Sequence, residues 1–448
     1  MRNMSNNGER EQWGSRIGFI LAAAGSAVGL GNIWRFPYIT GQYGGAAFVF
    51  LYVALVFVIG FSVMLAEIAI GRRAQLNAVG SFKKLKGGAW PLVGWMGVAA
   101  GFIILSYYAV IGGWTIKYFI ITWTGLMEAG AAGKAGDVFG GFVTNTPQVI
   151  LYQAIFMLAT IWVVYRGIGE GIEKYCKILM PALFGILLIL IVRSVTLEGA
   201  GKGLEFYLKP DFSKITGDTF LAALGQAFFS LSLGMGCMIT YGSYLTKDTT
   251  IPSAVGQICF LDTMVALLAG LVIFPAVFAF GVEAGAGPGL TFVTLPSVFS
   301  QMPGGPIWSS LFFILLFIAA LTSAISLLEV VSAYFIDEMG WGRPKAAWLM
   351  GLAIFILGIP SSISLAGNLK IAGKDFLDAA DFLASNVLLP LGGMLIALFV
   401  GWVWTESARK EVSNDGTYEF GLMDAWIWVC RTIAPLAIAV IFWKGLKW

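Results

Sequence analysis

The sequence predicts an all-α protein that crosses a membrane many times, and two observations carry this prediction. Of the 448 residues, 58% are hydrophobic and only 12% are charged, whereas soluble domains carry about 25% charged residues. The chain also contains eleven apolar runs, each close to or above the roughly 20 residues that span a bilayer. These runs lie near residues 14–37, 44–70, 90–124, 147–165, 171–193, 218–244, 251–281, 306–336, 344–362, 379–404 and 422–443.

The basic residues predict how these spans are oriented. Loop 71–89 holds five basic residues between Arg72 and Lys86, whereas the loop near 38–43 holds none. Because basic loops remain in the cytoplasm, we expect segment 1–13 to be cytoplasmic. An odd number of spans then places Trp448 outside the cell. The first run is too long for the core of a signal peptide, and none is predicted.

Several classes of function are excluded by residue types. The sequence has no histidine, which removes histidine-based catalysis and most zinc sites, and no other catalytic set indicates an enzyme. The net charge of +3 comes without a basic patch for nucleic acid. Four cysteines lie in or beside apolar runs without C-x-x-C spacing, so we expect buried thiols rather than a disulfide or zinc set. They are Cys176, Cys237, Cys259 and Cys430.

Two spans are interrupted near mid-depth. The first contains GSAVGLGNIWRFP at 25–37, and the sixth contains FFSLSLGMG at 228–236. Lipid penalises unpaired backbone groups and charges, whereas the ends of broken helices can hold a sodium ion and a carboxylate. The breaks lie five spans apart, so the two segments enter the membrane in opposite directions. This pattern is typical of a transporter built from inverted repeats; the alternative is that the glycines only permit close packing.

Four segments resemble the neurotransmitter:sodium symporters, in particular bacterial amino-acid members of the eleven-span type. They are AGSAVGLGNIWRFP at 24–37, YYAVIGGW at 107–114, GQAFFSLSLGMG at 225–236 and ALTSAISLLE at 320–329. The resemblance runs in order through spans one to ten. It implies two five-helix inverted repeats, 14–193 and 218–404, with broken first and sixth helices, plus an additional helix in 422–448. It also implies sodium-coupled uptake of an amino acid across the cell membrane by alternating access.

By the family pattern, two co-transported sodium ions bind beside the breaks. Both sites offer hard oxygen ligands, which suit an alkali cation. The first would use the Ala27 carbonyl, the Asn32 amide, Ser230, Asp262 and the substrate's own carboxylate. The second would use the carbonyls of Gly25, Val28 and Ala319 with the hydroxyls of Thr322 and Ser323.

Asp262 departs from the family pattern, which usually has an asparagine there. It is the sole charge between Asp248 and Glu283, and an intramembrane carboxylate indicates function. One turn later, chloride-dependent members have a serine where this chain has Ala266. The carboxylate can supply the negative charge that chloride supplies elsewhere, so we expect no chloride dependence. The alternative is a buried aspartate that pairs with a hydroxyl and carries no ion.

The resemblance also implies a gate on each side of the membrane. The outer gate would pair Arg35 with Asp381 through water. The inner gate would pair Arg10 with Asp337, with Trp13 below them and Ser243 and Tyr244 holding the network. The alternative for each pair is a set of ordinary interfacial charges.

Three further features of the spans carry expectations of their own. Span five contains Gly171 and Pro181, between which unwinding could open a water path, although a simple kink is the alternative. Glu67 is expected to bond the unwound part of span one or six. Arg431 in span eleven has no assigned role.

The substrate is expected to be a zwitterion, because the broken helices offer dipole ends but no full positive charge. Its carboxylate would meet sodium, the amides near Gly29 and Gly31, and the Tyr108 hydroxyl. Its amino group would meet the carbonyls of Ala27, Phe229 and Ser230, and Phe229 would also act as a lid. The side-chain pocket would be lined by Leu30, Ile104, Ser232, Met235, Ala324 and Leu327.

This pocket has no acid or base, so we expect it to be roomy and apolar and to take large hydrophobic or aromatic L-amino acids. Two alternatives stay open. One is a proton-coupled transporter that uses Glu67 or Asp262. The other is a receptor that binds an amino acid without moving it. The sequence predicts neither the preferred amino acid nor the oligomeric state.

Overall fold

The structure, a computed structural model, describes residues 10–281 and 289–446. Within these ranges nine helices are long and apolar enough to cross a membrane. A further pair, Arg16–Ala27 and Gly31–Gln42, passes the same test as one span bent by 53°. The nine helices are Ala46–Ala74, Pro91–Ala131, Thr146–Tyr165, Ile168–Val195, Ile251–Ala279, Gly305–Met339, Arg343–Ser364, Phe376–Val403 and Met423–Gly445.

The remaining predicted span, 218–244, consists of two shorter helices. These are Gly217–Ser230 and Cys237–Gly242, separated by residues 231–236. With this pair counted as span six, all eleven predicted runs are helical, and we number them one to eleven in chain order. The all-α membrane fold is therefore confirmed. The predictions for residues 1–9 and for Trp448 lie outside the described residues.

Short elements connect the spans. Two-residue strands, Lys370–Ile371 and Lys374–Asp375, pair antiparallel before span ten. The connecting helices are Ala78–Leu85, Ala135–Val143, Ala200–Leu208, Leu290–Ser300 and Thr405–Val412, with a 3₁₀ turn at Phe212–Lys214.

Spans three and eight form the centre of the bundle. About four-fifths of the apolar segment of each is buried (78% and 83%), compared with 28% for span five. Span three packs along span eight, and the first half of span one packs against spans five, seven and eight. The broken span one therefore lies inside protein, where irregular backbone is tolerated in a membrane.

Span five does not unwind in this conformation. It begins with a π turn, Ile168–Glu173, that contains Gly171, and continues as an unbroken α-helix through Pro181. All four cysteines are buried and unpaired, which confirms the prediction of isolated apolar thiols.

Candidate substrate and sodium sites

Span one loses its helical hydrogen bonds at Gly29 and Leu30, after the Val28 amide donates to the Ala24 carbonyl. Val28 is extended, and the chain resumes as a π turn at Gly31. The freed amide of Gly29 donates to Asn32 Oδ1 at 3.1 Å, and that of Leu30 donates to the Tyr108 hydroxyl at 3.1 Å. The predicted break in the first span is therefore present, and polar side chains replace the lost backbone bonds.

Span six breaks where two glycines adopt positive φ. The values are 78° at Gly234 and 76° at Gly236, a region that residues with a Cβ rarely adopt. A Cβ at Gly234 would also lie 2.3 Å from the Leu389 carbonyl oxygen. The Gly234 amide donates to Glu67 Oε1 at 2.7 Å, which confirms the expected contact between Glu67 and an unwound segment. The Ser232 hydroxyl donates to the Ser26 carbonyl at 2.9 Å and joins the two breaks.

The residues predicted for the first sodium site form one buried cluster. The Asn32 amide nitrogen donates to Asp262 Oδ1 at 2.8 Å and to Ser230 Oγ at 2.9 Å. The Ser230 hydroxyl donates to Asp262 Oδ2 at 2.8 Å, and the Tyr52 hydroxyl donates to Ser230 at 3.2 Å. Asn32 and Asp262 are fully buried. Ala27, the remaining predicted ligand, lines the adjacent cavity.

The residues predicted for the second site meet where span eight passes the break. The Ser323 hydroxyl donates to the carbonyls of Val28 and Ser26 at 3.2 and 3.1 Å. The Thr322 hydroxyl donates to the Ala319 carbonyl at 3.2 Å. A Cβ on Gly25 would lie 3.2 Å from Thr322 Cβ, so these two residues are in close contact. The structure thus brings the five residues predicted for the second site together. Their role as sodium ligands stays a prediction.

A central cavity lies between the two breaks. Its volume is about 30 Å³, which is room for only one or two water molecules. The described residues that line it include no aspartate, glutamate, lysine or arginine. They are Ser26, Ala27, Gly29, Gly31, Ile104, Tyr108, Phe229, Ser230, Ser232, Met235, Ser323 and Leu327. The apolar character that we expected is present, but the pocket is not roomy in this conformation.

Two predicted pocket residues lie elsewhere. Ala324 is fully buried and does not line the central cavity. Leu30 lines a larger cavity of about 420 Å³, here called the outer cavity because it lies on the side predicted to face outward. Phe229 borders both cavities, and its ring covers Gly31 so closely that a Cβ there would lie 3.0 Å from Phe229 Cδ1. Phe229 therefore lies at the boundary of the two spaces, and its role as a lid stays a prediction.

Comparisons with known proteins agree with this architecture. A family model described as "Sodium:neurotransmitter symporter family" matches residues 10–130 and 143–447. The chain belongs to the sodium:neurotransmitter symporter family. It is therefore a sodium-dependent secondary transporter embedded in a membrane, and the prediction that it is not an enzyme is confirmed.

Relatives of this symporter are found among bacteria. An uncharacterized sodium-dependent transporter of Bacillus subtilis, YhdH, is 42% identical over 435 residues, covering 96% of each chain. Another from Haemophilus influenzae is 39% identical over 456 residues, covering 99% of each chain. The crystal structure of MhsT in complex with L-phenylalanine is similar, with a TM-score of 0.89 and 50% identity over 98% of this chain and all of that one.

On the side of the symporter that is predicted to face outward, the predicted gate residues face one cavity without touching. Arg35 and Asp381 both line the 420 Å³ outer cavity, and no direct ion pair joins them within the described ranges. Asp381 Oδ1 instead accepts from the hydroxyls of Tyr107 and Ser385, each at 2.8 Å. The Arg35 guanidinium lies 4.9 Å from the ring centroid of Phe229. This geometry leaves room for the predicted water-mediated pairing.

On the opposite side, the predicted gate residues are in direct contact. Arg10 donates to both carboxylate oxygens of Asp337, at 2.7 and 2.8 Å, and to the Ser243 hydroxyl at 2.7 Å. Trp13 Nε1 donates to the Tyr241 carbonyl at 2.9 Å. Arg10 also lies 4.6 Å from the ring centroid of Tyr244. Charged hydrogen bonds therefore join the segment before span one to spans six and eight on this face, and their role as a gate stays a prediction.

A second ion-pair network beside this gate was missed by sequence reasoning. Arg343 donates to both oxygens of the fully buried Glu329, at 2.7 and 3.1 Å, and pairs with Glu11 at 2.8 Å. The Tyr244 hydroxyl donates to Glu329 Oε1 at 2.6 Å. The signal was available, because Glu329 is an acid within a predicted span.

Proposed function

We propose that this symporter takes up a neutral, hydrophobic or aromatic L-amino acid with Na⁺, independently of chloride. The single observation that carries the proposal is the buried cluster of Asn32, Ser230 and Asp262 beside a cavity without ionised side chains. A buried carboxylate stays ionised most readily when a compensating charge lies beside it. A sodium ion at this point supplies it and can also attract the substrate's carboxylate.

The apolar lining of the central cavity supports the substrate class. A zwitterion can direct its charged ends toward the broken helices, whose amides and carbonyls are free to receive them. Its side chain then faces Ile104, Met235 and Leu327. Because the cavity holds only about 30 Å³, an aromatic substrate requires Met235 and Phe229 to move, and methionine repacks readily. MhsT, 50% identical, was solved in complex with L-phenylalanine, in keeping with this class.

Two co-transported sodium ions provide enough driving force for accumulation. One charge that crosses 100 mV contributes about 2.3 kcal/mol, so two contribute about 4.6 kcal/mol before any concentration gradient. That sum corresponds to accumulation of more than about a thousandfold. At the first site, sodium would displace the Asn32 amide hydrogens from Asp262 and turn the amide oxygen toward the ion.

The two unlike faces of the molecule support transport by alternating access. The face closed by Arg10 and Asp337 is predicted to be cytoplasmic, and the opposite face carries the 420 Å³ cavity above Phe229. We therefore assign the conformation to an outward-facing state with a covered substrate site. Inward opening then requires release of the Arg10 ion pair and closure of the space between Arg35 and Asp381.

The decisive experiment is uptake in proteoliposomes of purified symporter. We expect uptake of hydrophobic or aromatic amino acids under an inward Na⁺ gradient, no uptake with choline in place of Na⁺, and unchanged uptake with gluconate in place of chloride. A competition screen of the twenty amino acids ranks the substrates. Uptake driven by a pH gradient without Na⁺ would instead support proton coupling, and binding without accumulation would support a receptor.

Ser323→Ala tests the second sodium site. The substitution removes the Ser323 hydroxyl, so a sodium ion at this site would have one ligand fewer. The loss of a buried polar contact of this kind weakens binding by about 1–3 kcal/mol. We expect the half-saturating Na⁺ concentration for uptake to rise at least about fivefold. Ser362→Ala is the matched control, because Ser362 is also buried but bonds Gln153 in span four. An unchanged Na⁺ dependence in Ser323→Ala would contradict the site.

A further inference from the structure

We propose that the seam between spans ten and eleven binds an anionic glycerophospholipid, whose phosphate is held by Arg431. The charge distribution predicts that this seam opens to the cytoplasmic leaflet. The inference concerns a site away from the transport pathway and does not depend on the substrate.

Arg431 is held at the seam by backbone carbonyl and ring contacts. Its Nε donates to the Gly401 carbonyl at 2.5 Å, and its guanidinium carbon lies 5.5 Å from the ring centroid of Trp402. The Trp402 indole in turn donates to the Arg431 carbonyl at 3.2 Å. The side chain is thus fixed in direction before any ligand arrives, which lowers the entropic cost of binding.

Two π turns create this arrangement. Phe399–Val403 in span ten and Val429–Ile433 in span eleven face each other. Their approach requires Gly401, because a Cβ there would lie 2.9 Å from Arg431 Cα and Cγ. A π turn disturbs the regular ladder of helical hydrogen bonds, and the Gly401 carbonyl accepts from both Arg431 Nε and the Thr405 hydroxyl, the latter at 2.7 Å.

Apart from the Trp402 ring, the terminal nitrogens of the guanidinium have no partner within the part of the chain that the structure describes. No carboxylate there forms an ion pair with Arg431, and only its Nε makes a hydrogen bond. Both terminal nitrogens therefore keep their N–H groups free on a partly exposed side chain. A free arginine charge within lipid is costly, and its planar fork matches two oxygens of a phosphate.

The depth of the site selects a lipid phosphate. Gly401 lies two residues before the end of span ten at Val403. Trp402 and Trp428 are 65% and 58% exposed, and exposed tryptophan is enriched at the level of lipid headgroups. The phosphate of a lipid reaches this depth while its acyl chains cover the exposed rings. The cytoplasmic leaflet carries anionic lipids, which match the uncompensated positive charge.

The test is lipid retention by the purified full-length symporter, measured by native mass spectrometry. Phosphatidylglycerol and phosphatidylcholine are offered at equal concentrations to the wild type, Arg431→Gln and Arg166→Gln. Arg166 is the matched control, since its guanidinium lies 4.4 Å from the exposed Trp162 ring at an end of span four predicted to be cytoplasmic. We expect Arg431→Gln to lower the fraction that carries phosphatidylglycerol at least about fivefold, and Arg166→Gln to leave it near wild type.

Three outcomes of the retention measurement would overturn the proposal. They are unchanged phosphatidylglycerol retention in Arg431→Gln, an equal loss in Arg166→Gln, and equal retention of phosphatidylcholine by the wild type. If Arg431→Gln does not fold, Arg431→Lys takes its place, because lysine keeps the positive charge but lacks the planar guanidinium. We expect the same loss of phosphatidylglycerol retention in that variant. Soluble glycerol phosphate is also added in a thermal-unfolding assay. Protection equal to that by phosphatidylglycerol would show a site for free phosphate and refute the lipid.

Discussion

Asp262→Asn is expected to lower sodium-driven uptake in chloride-free medium by at least about tenfold. In the native chain the carboxylate accepts hydrogen bonds from Asn32, Ser230 and Tyr52 and is fully buried. A hydrogen bond to a charged group contributes about 1.5–3 kcal/mol, and 1.4 kcal/mol corresponds to a factor of ten. An amide offers sodium only a dipole, so the positive charge of the ions is no longer offset.

A second variant separates charge compensation from simple damage. Asp262→Asn combined with Ala266→Ser restores the asparagine and serine that the resemblance associates with chloride-dependent members. We expect this double variant to recover uptake in chloride and not in gluconate. Asp218→Asn is the control, because it neutralises an acid whose side chain is 76% exposed in the first half of span six. Full chloride-free uptake by Asp262→Asn would show that the carboxylate does not replace chloride.

Arg10→Ala is expected to shift the symporter toward an inward-open conformation by roughly 10- to 100-fold. The Arg10–Asp337 pair is bidentate, and its side chains are only 13% and 10% exposed. Loss of this pair destabilises the conformation with a closed inner gate by about 1.5–3 kcal/mol of charged hydrogen bonding. The fold is retained because the spans also pack against each other through other residues. An equilibrium between two states responds to such a difference by a change in populations.

Cysteine labelling measures this shift. Cys176 is fully buried in span five, which packs against the first half of span one. In a background with the other three cysteines replaced by alanine, we expect Arg10→Ala to speed labelling of Cys176 by a water-soluble maleimide at least about tenfold. Lys83→Ala is the control, because Lys83 forms a more exposed pair with Glu338 on the same face. Equal labelling in Arg10→Ala and the wild type would argue against Arg10 as an inner gate.

Local sequence was sufficient for the membrane fold and for the two breaks. Apolar runs of membrane length form helices because lipid leaves the backbone no other partner. Gly234 and Gly236 mark the second break because their positive φ values suit residues without a Cβ. The resemblance to a known family added the residues of both predicted sodium clusters, and structure brings their side chains and carbonyls together.

Two contacts between polar groups on separate spans came only from the tertiary structure. Glu329 finds Arg343 across a turn between spans, and Arg431 finds the Gly401 carbonyl 30 residues away. The sequence marks Glu329 as an acid within a span, but no single stretch of sequence shows the partner in either contact. The same holds for the pocket, since Leu30 faces the outer cavity and the central space holds about 30 Å³. The reason is physical: hydropathy and backbone freedom act over neighbouring residues, whereas cavity volume and ion pairing depend on how separate helices pack.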